Sequence, residues 1–305
     1  VEKSENLWYN PIDILNFDRG IWIMGVDENM DYDIRAVQLV ELDILKKIDR
    51  ICKKHGITYF LDGGTALGAV RHGGFIPWDD DIDLGMLRDD YDRFIEIAQV
   101  ELGNDYFLQT RKTDPKCPFS FAKVRKEGTT FVEWNKRNVK MHHGIFVDIF
   151  PYDVLPEEGR EEYFRKCAAL DRKLTVKMTP DRAMQPQRSL KWLAGSMARR
   201  AKYYLMKFTS THKLDKKIEE EFVKYRGMRF EDQQVTCHAY DAMYYFPEDM
   251  LVPTVTVEFE GERFPVPGKY HEFLTKMYGD YMELPPEEER HGHKPAKLSV
   301  TEVLY

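Results

Sequence analysis

One run constrains this chain more than any other. It is Asp62-Gly63-Gly64-Thr65-Ala66-Leu67-Gly68-Ala69-Val70-Arg71-His72-Gly73-Gly74, followed at once by Phe75-Ile76-Pro77-Trp78-Asp79-Asp80-Asp81-Ile82-Asp83-Leu84. Thr58 to Leu61 is β-prone, Gly63-Gly64 permits backbone angles that a Cβ would block, and Thr65 opens a helical stretch closed by Gly73-Gly74. A strand, a tight turn and a helix start aim backbone N–H groups and the positive helix end at one spot, which suits a phosphate. Asp81-Ile82-Asp83-Leu84 reads as a strand, whose period of two sends both carboxylates to one face. Two like charges held that close need a cation, and paired hard oxygens beside a phosphate cradle are what Mg²⁺, or Mn²⁺, uses. The pattern predicts metal-assisted chemistry on a phosphate ester or anhydride.

Two plainer readings compete. A solvated acidic turn would not interleave Ile82 and Leu84 with its acids or place Trp78 before them. A calcium loop would use Asp79, Asp81, Asp83 and Asp90, but the turn position that needs glycine holds Leu84.

The 305 residues are enough for one large domain or two small ones, and 43% hydrophobic with 32% charged residues is the balance of a globular protein. A net charge of −7 argues against nucleic-acid binding, which needs many cations. Cys52, Cys117, Cys167 and Cys237 are scattered without zinc-site spacing, so buried reduced thiols are expected. No apolar run is long enough to span a membrane and the start shows no signal-peptide pattern, which predicts a cytoplasmic protein.

Along the chain, residues 1–33 read as an extended arm. From Asp33, Val37, Val40, Ile44, Leu45, Ile48, Ile51 and Cys52 recur at helical spacing up to Gly56. Tyr91, Phe94, Ile95, Ala98 and Leu102 mark a second helix, closed by Gly103. Tyr106 to Thr110 and Pro118 to Arg125 are strand candidates; the second puts Phe119, Phe121, Lys123 and Arg125 on one face, where Lys123 or Arg125 would reach a donor phosphate. Phe146-Val147-Asp148-Ile149-Phe150 is an apolar strand with one acid, which must have a partner or a metal. His142 and His143 read as loop residues. Glu157 to Tyr245 reads as largely helical, and its basic, aromatic stretch 189–208 suits either an anionic membrane surface or the flank of the domain. Val255 to Val266 is a hairpin turned at Gly261, Tyr270 to Tyr278 a short helix, and Arg290 to Lys294 a cationic tail. The resulting layout is an arm (1–33), a catalytic core (34–156), a helical insertion facing the acceptor (157–247) and a C-terminal part (248–305) completing the core.

Gly63-Gly64-Thr65, then Asp81 and Asp83, then a lone strand acid at Asp148 resembles the nucleotidyltransferase superfamily. More narrowly, Leu61 to Asp83 closely resembles the LicD family of phosphocholine transferases, relatives of fukutin and fukutin-related protein. Phe121 to Arg125, Gly144 to Pro151 and Tyr278 to Met282 with Arg290 and His293 fit the same family. The resemblance implies an α+β fold: a nucleotidyltransferase-like mixed sheet flanked by helices, with a helical insertion. It also implies transfer of a phosphoryl-alcohol unit, phosphocholine above all, from CDP-choline or another CDP-activated donor. The acceptor would be a sugar hydroxyl of a surface glycan, possibly lipid-linked, such as teichoic acid or lipopolysaccharide. Asp81, Asp83 and Asp148 would hold the metal, and Asp148 or Asp79 would take the acceptor proton. Gly63, Gly64, Thr65, Arg71, Lys123, Arg125, Arg290 and His293 would bind the donor. Trp78, Trp134 and Tyr152 are ring candidates for a choline head. A nucleotidyltransferase releasing pyrophosphate and a non-catalytic glycan- or metal-binding module are the other readings.

Overall fold

The computed structural model describes residues 33–181, 190–239, 243–293 and 295–300; the expected N-terminal arm, apart from Asp33, lies outside them. The first helix, α1 (Ile34–His55), has the predicted bounds because its ends are chemically marked. Asp33 accepts from the Ala36 amide, and Gly56 adopts the left-handed conformation that ends a helix cheaply. Val37, Ile44, Leu45, Ile48 and Ile51 form its buried stripe. There follow β1 (Phe60–Leu61), α2 (Gly63–His72), β2 (Asp83–Leu87), α3 (Arg88–Glu101), β3 (Tyr106–Gln109), β4 (Ala122–Lys126), β5 (Thr130–Val132) and β6 (Phe146–Val154). The next elements are α4 (Arg160–Met178), α5 (Leu190–Met206), α6 (Thr211–Phe222), β7 (Gln234–Cys237) and β8 (Phe246–Pro247). The chain closes with α7 (Glu248–Leu251), β9 (Val255–Phe259), β10 (Glu262–Val266), α8 (Tyr270–Tyr278) and β11 (Lys297–Ser299).

The sheet runs β1-β2-β6-β4-β3, with β7 also on β6 and β8 on β7. Among the described residues only β2 and β6 are parallel; the other pairs are antiparallel, so the sheet is mixed and the α+β class holds. Strand β6 is its spine and is buried from Phe146 to Asp153. The predicted hairpin is β9–β10, in register from Val255↔Val266 to Phe259↔Glu262. All four cysteines are buried thiols.

Two expectations are corrected. The run Asp81–Leu84 is not all strand: β2 starts at Asp83, so Asp81 lies on the approach to the sheet and strand alternation does not place it. The segment read as largely helical carries β7, which returns to the main sheet through Tyr152↔Cys237, Asp153↔Thr236 and Val154↔Val235. Its four residues are too few to show a period.

Helices α4 and α6 close a smaller core of Leu155, Tyr163, Cys167, Leu170, Leu174, Ile218 and Phe222. His238 is buried beside it, its ring 4.4 Å from Phe222 and 5.7 Å from Tyr163. Burial pulls its pKa down to about 4, with Asp153 opposing. The folded state therefore resists protonating His238, and its contribution is whole above the unfolded value near 6.5 and is lost as pH falls toward 4. Between pH 7 and pH 5 the protein should lose about 2 kcal/mol more than a His238→Phe variant. Urea unfolding at both pH values checks this; equal losses would refute it.

Candidate functional site

The sheet register builds the centre of the site. Asp83 opens β2 and pairs with Asp148 of β6; Asp148 pairs on its other side with Lys123 of β4, and Lys123 with Gln109 of β3. Directly opposed residues share a face, so four polar side chains form one row across four strands. The Lys123 ammonium lies 2.7 and 2.8 Å from the two Asp148 oxygens. Lys123 is 2% and Asp148 7% exposed. The strand predicted from Pro118 starts only at Ala122, so Phe119 and Phe121 precede β4, yet the ammonium sits 4.5 and 5.5 Å from their ring centres and 3.5 Å from that of Phe146. Burial raises the Asp148 pKa, against the pull of Lys123.

The glycine turn delivers the remaining acids. Helix α2 begins at Gly63, two residues before the predicted Thr65, because Asp62 caps it through the Gly63 amide. Tyr152 donates to the same carboxylate. Thr65 Oγ1 accepts from the Asp83 amide at 2.9 Å, and the Asp62 amide donates to the Asp83 carbonyl, which locks the start of β2 to the turn. A Cβ on Gly64 would stand 3.0 Å from Asp79 Oδ2, so glycine is what lets that carboxylate lie against the start of α2. Gln38 of α1 donates to the Ile76 and Asp79 carbonyls and holds this loop from the helix side.

The C-terminal tail returns to the same loop. The His293 amide and Nδ1 both bond buried Asp80, and Nδ1 is 3.8 Å from Asp81. That bond raises His293 to about 9. Strand β11 then pairs with β5. Burial, then the charges of Asp81 and Asp80, push Asp79 up to about 8; Asp81 is raised by burial, and Asp83 well above its usual range by burial and by Asp81 and Asp148. Asp79, Asp81, Asp83 and Asp148 thus form one electrostatic group.

Other predicted residues have structural partners. Arg71 donates to the Tyr281 and Glu283 carbonyls, and fully buried Arg125 to Gln109 and the Gly144 carbonyl. Arg290 donates to the Pro285 carbonyl and lies over the Trp78 ring. The three ring candidates are engaged separately: Trp78 by Arg290, Trp134 by Arg137, and Tyr152 within the core. The sequence reading missed two groups. Lys136, paired with Glu133 and over the Phe119 ring, sits in an irregular segment that gives no periodic signal. Glu41 is a fully buried acid of α1 whose pKa is held well above normal by burial and then by Asp81, Asp80, Asp79 and Asp148. It lies at helical spacing between Val37 and Ile44, so the apolar period carried its signal.

Among the described residues no three ligand side chains are gathered as for an ion. The three predicted ligands, Asp81, Asp83 and Asp148, are all carboxylates, the donor type that a hard divalent cation takes.

Comparison with known proteins agrees with this architecture. The profile of the LicD/FKTN/FKRP nucleotidyltransferase domain matches residues 56–199. A Haemophilus influenzae protein named lipopolysaccharide cholinephosphotransferase LicD is 33% identical over 266 residues, covering 85% of this chain and 95% of the relative. The chain belongs to the LicD family. As a member it is a LicD-like phosphotransferase. Mouse ribitol 5-phosphate transferase FKRP is 32% identical over 149 residues, which is 49% of this chain and 26% of that protein. An uncharacterized Rickettsia typhi protein is 41% identical over 63 residues, a fifth of each chain.

Proposed function

We propose that this LicD-family protein moves phosphocholine from CDP-choline onto a sugar hydroxyl of a surface glycan such as lipopolysaccharide or teichoic acid and leaves CMP. The observation that carries the reading is the near full-length similarity to a lipopolysaccharide cholinephosphotransferase, in a chain whose Asp79 lies against the start of α2 and whose Asp83 and Asp148 sit opposite each other on paired strands. Asp81, Asp83 and Asp148 would hold Mg²⁺ or Mn²⁺, which when bound supplies charge neutralisation on the donor diphosphate. Gly64 and Thr65 would offer the amides of a helix start to the donor phosphates, while the Gly63 amide is held by the Asp62 cap. Lys123 fixes the Asp148 carboxylate through both oxygens and brings positive charge to the row. With Asp148 so held, Asp79 is the better placed acid to take the acceptor proton. Incubation with CDP-choline, Mg²⁺ and a glycan acceptor should release CMP and yield a phosphodiester seen by phosphorus NMR. Turnover with CDP-ribitol or CDP-glycerol alone would move the donor assignment, and pyrophosphate release from a nucleoside triphosphate would replace the reaction.

We also place the protein against an anionic membrane, where a lipid-linked acceptor would be met. No helix among the described residues is long and apolar enough to cross a membrane. Helix α5 instead exposes Leu193, Met197, Tyr204 and Leu205, with Phe208 just beyond it 92% exposed. No acid occurs between Asp181 and Asp215, while Lys191, Lys202 and Lys207 are exposed there. Arg199 and Arg200 tie the helix to Thr179 and Asp181, so the outward lysines are the better probes. Each lysine near an anionic surface is worth about 1 kcal/mol. Lys202→Glu/Lys207→Glu should therefore weaken binding to phosphatidylglycerol vesicles at least ~30-fold and flatten its salt dependence. Unchanged binding would remove the idea.

A further inference from the structure

The hairpin of β9 and β10 reverses through two residues, Glu260 and Gly261, with φ of 54° and 77°. A two-residue turn of this hand favours asparagine or glycine at its first position, since the left-handed region strains other side chains. Among the described residues Glu260 is the one non-glycine with positive φ, and its contacts give the reason. Its Oε1 accepts from the Phe75 amide at 3.2 Å and its Oε2 from the Arg35 guanidinium at 2.6 Å, while its own amide donates to the Gly73 carbonyl. Glycine bears no acceptor, and asparagine has one oxygen for two donors. A Cβ on Gly74 would collide with this carboxylate, so the loop is shaped to receive it. The bond to Arg35 keeps the Glu260 carboxyl below its usual range, so it is ionised at neutral pH. Arg35 carries the connection on, its second terminal nitrogen donating to Gln38 Oε1 at 3.2 Å. A guanidinium only donates, so it sets the orientation of the Gln38 amide: Oε1 toward Arg35, Nε2 toward the Asp79 carbonyl at 2.9 Å and the Ile76 carbonyl at 3.5 Å. Gln38 is buried, where a flipped amide would set its oxygen against two carbonyls. The line of bonds thus runs from the hairpin through α1 to the segment whose Asp79 Oδ2 lies against Gly64.

We propose that Glu260, Arg35 and Gln38 form a positioning relay that sets Asp79 at the start of α2 for the transfer reaction. The three act through the backbone of residues 75–79 and need not touch substrate. The assignment rests on Asp79 as the acid that takes the acceptor proton. It gives the distant hairpin a part in the reaction and makes the carboxylate, rather than the turn, the reason for the residue at position 260.

Hydrogen exchange and steady-state rates test it on wild type, Gln38→Met, Glu260→Gly, Glu260→Ala and Asp79→Asn, the rates with CDP-choline, Mg²⁺ and a glycan acceptor. Gln38→Met keeps the volume and loses the donor, so amide exchange over residues 74–79 should quicken at least ~10-fold. Its kcat should fall at least ~10-fold with the KM for CDP-choline unchanged, because Asp79 acts on the acceptor. Glu260→Gly relieves the turn and should melt above Glu260→Ala, yet both should lose kcat alike. A glycine variant as fast as wild type shows that only the turn mattered and overturns the relay. Wild-type exchange in Gln38→Met overturns it too, a result that needs no substrate and stands whatever the donor. If exchange quickens but kcat holds while Asp79→Asn is inactive, the relay falls alone; if Asp79→Asn is itself fully active, the reading of Asp79 falls and takes the relay with it. Should Gln38→Met not fold, Arg35→Met, at a half-exposed position, replaces it with the same outcomes.

Discussion

Asp83→Asn should lower the transfer rate at least ~10³-fold while leaving the melting temperature equal or higher. The two effects separate because Asp83 has separable roles. Its backbone joins the turn to the sheet, through the amide to Thr65 and the carbonyl to Asp62, and asparagine keeps both bonds. Its carboxylate contributes charge, which burial and neighbouring Asp81 and Asp148 make costly in the resting protein. Neutralising it relieves repulsion in the fold and, on the proposed metal-dependent reading, takes away a ligand of the cation that would balance the charge of the transferring phosphoryl group. Rates with CDP-choline and a thermal melt check both halves. A variant retaining a tenth of the activity, or one that melts well below the wild type, would contradict the assignment.

Lys123→Met should destabilise the protein by about 3–5 kcal/mol, the usual loss when one partner of a buried ion pair is removed. Asp148 would be left inside the sheet with no cation, and the three rings around the ammonium would keep their packing against methionine. Lys123→Met/Asp148→Asn should recover most of that stability without recovering activity. Urea unfolding of the wild type, both single variants and the double variant gives the coupling energy directly. A coupling below about 1 kcal/mol would show that the pair does not hold the centre of the sheet.

What the sequence revealed was local. The Gly63-Gly64 turn, the acids after Pro77, the capped helix from Asp33 to Gly56 and the hairpin at Gly261 each carry their cause within a few residues. What it hid depended on register and on tertiary neighbours. The Lys123–Asp148 pair joins residues 25 positions apart, and only the alignment of β4 with β6 brings them face to face. Arg71 and Arg125 look like phosphate ligands in a string of letters, but the guanidinium of Arg71 is engaged by the distant Tyr281 and Glu283 carbonyls and that of Arg125 by the Gly144 carbonyl. Glu41 was visible in the apolar period as a charge in the wrong place, and charge in a helix is ordinarily read as surface.

The tail that bonds Asp80 through His293 and ends as β11 on β5 has a consequence for biosynthesis. The acidic loop is translated 213 residues before the histidine that closes it. A nascent polypeptide therefore holds Asp80 without this partner until His293 has emerged, and a product cut short just before His293 should lack that bond even though its glycine turn and its central strands are all present.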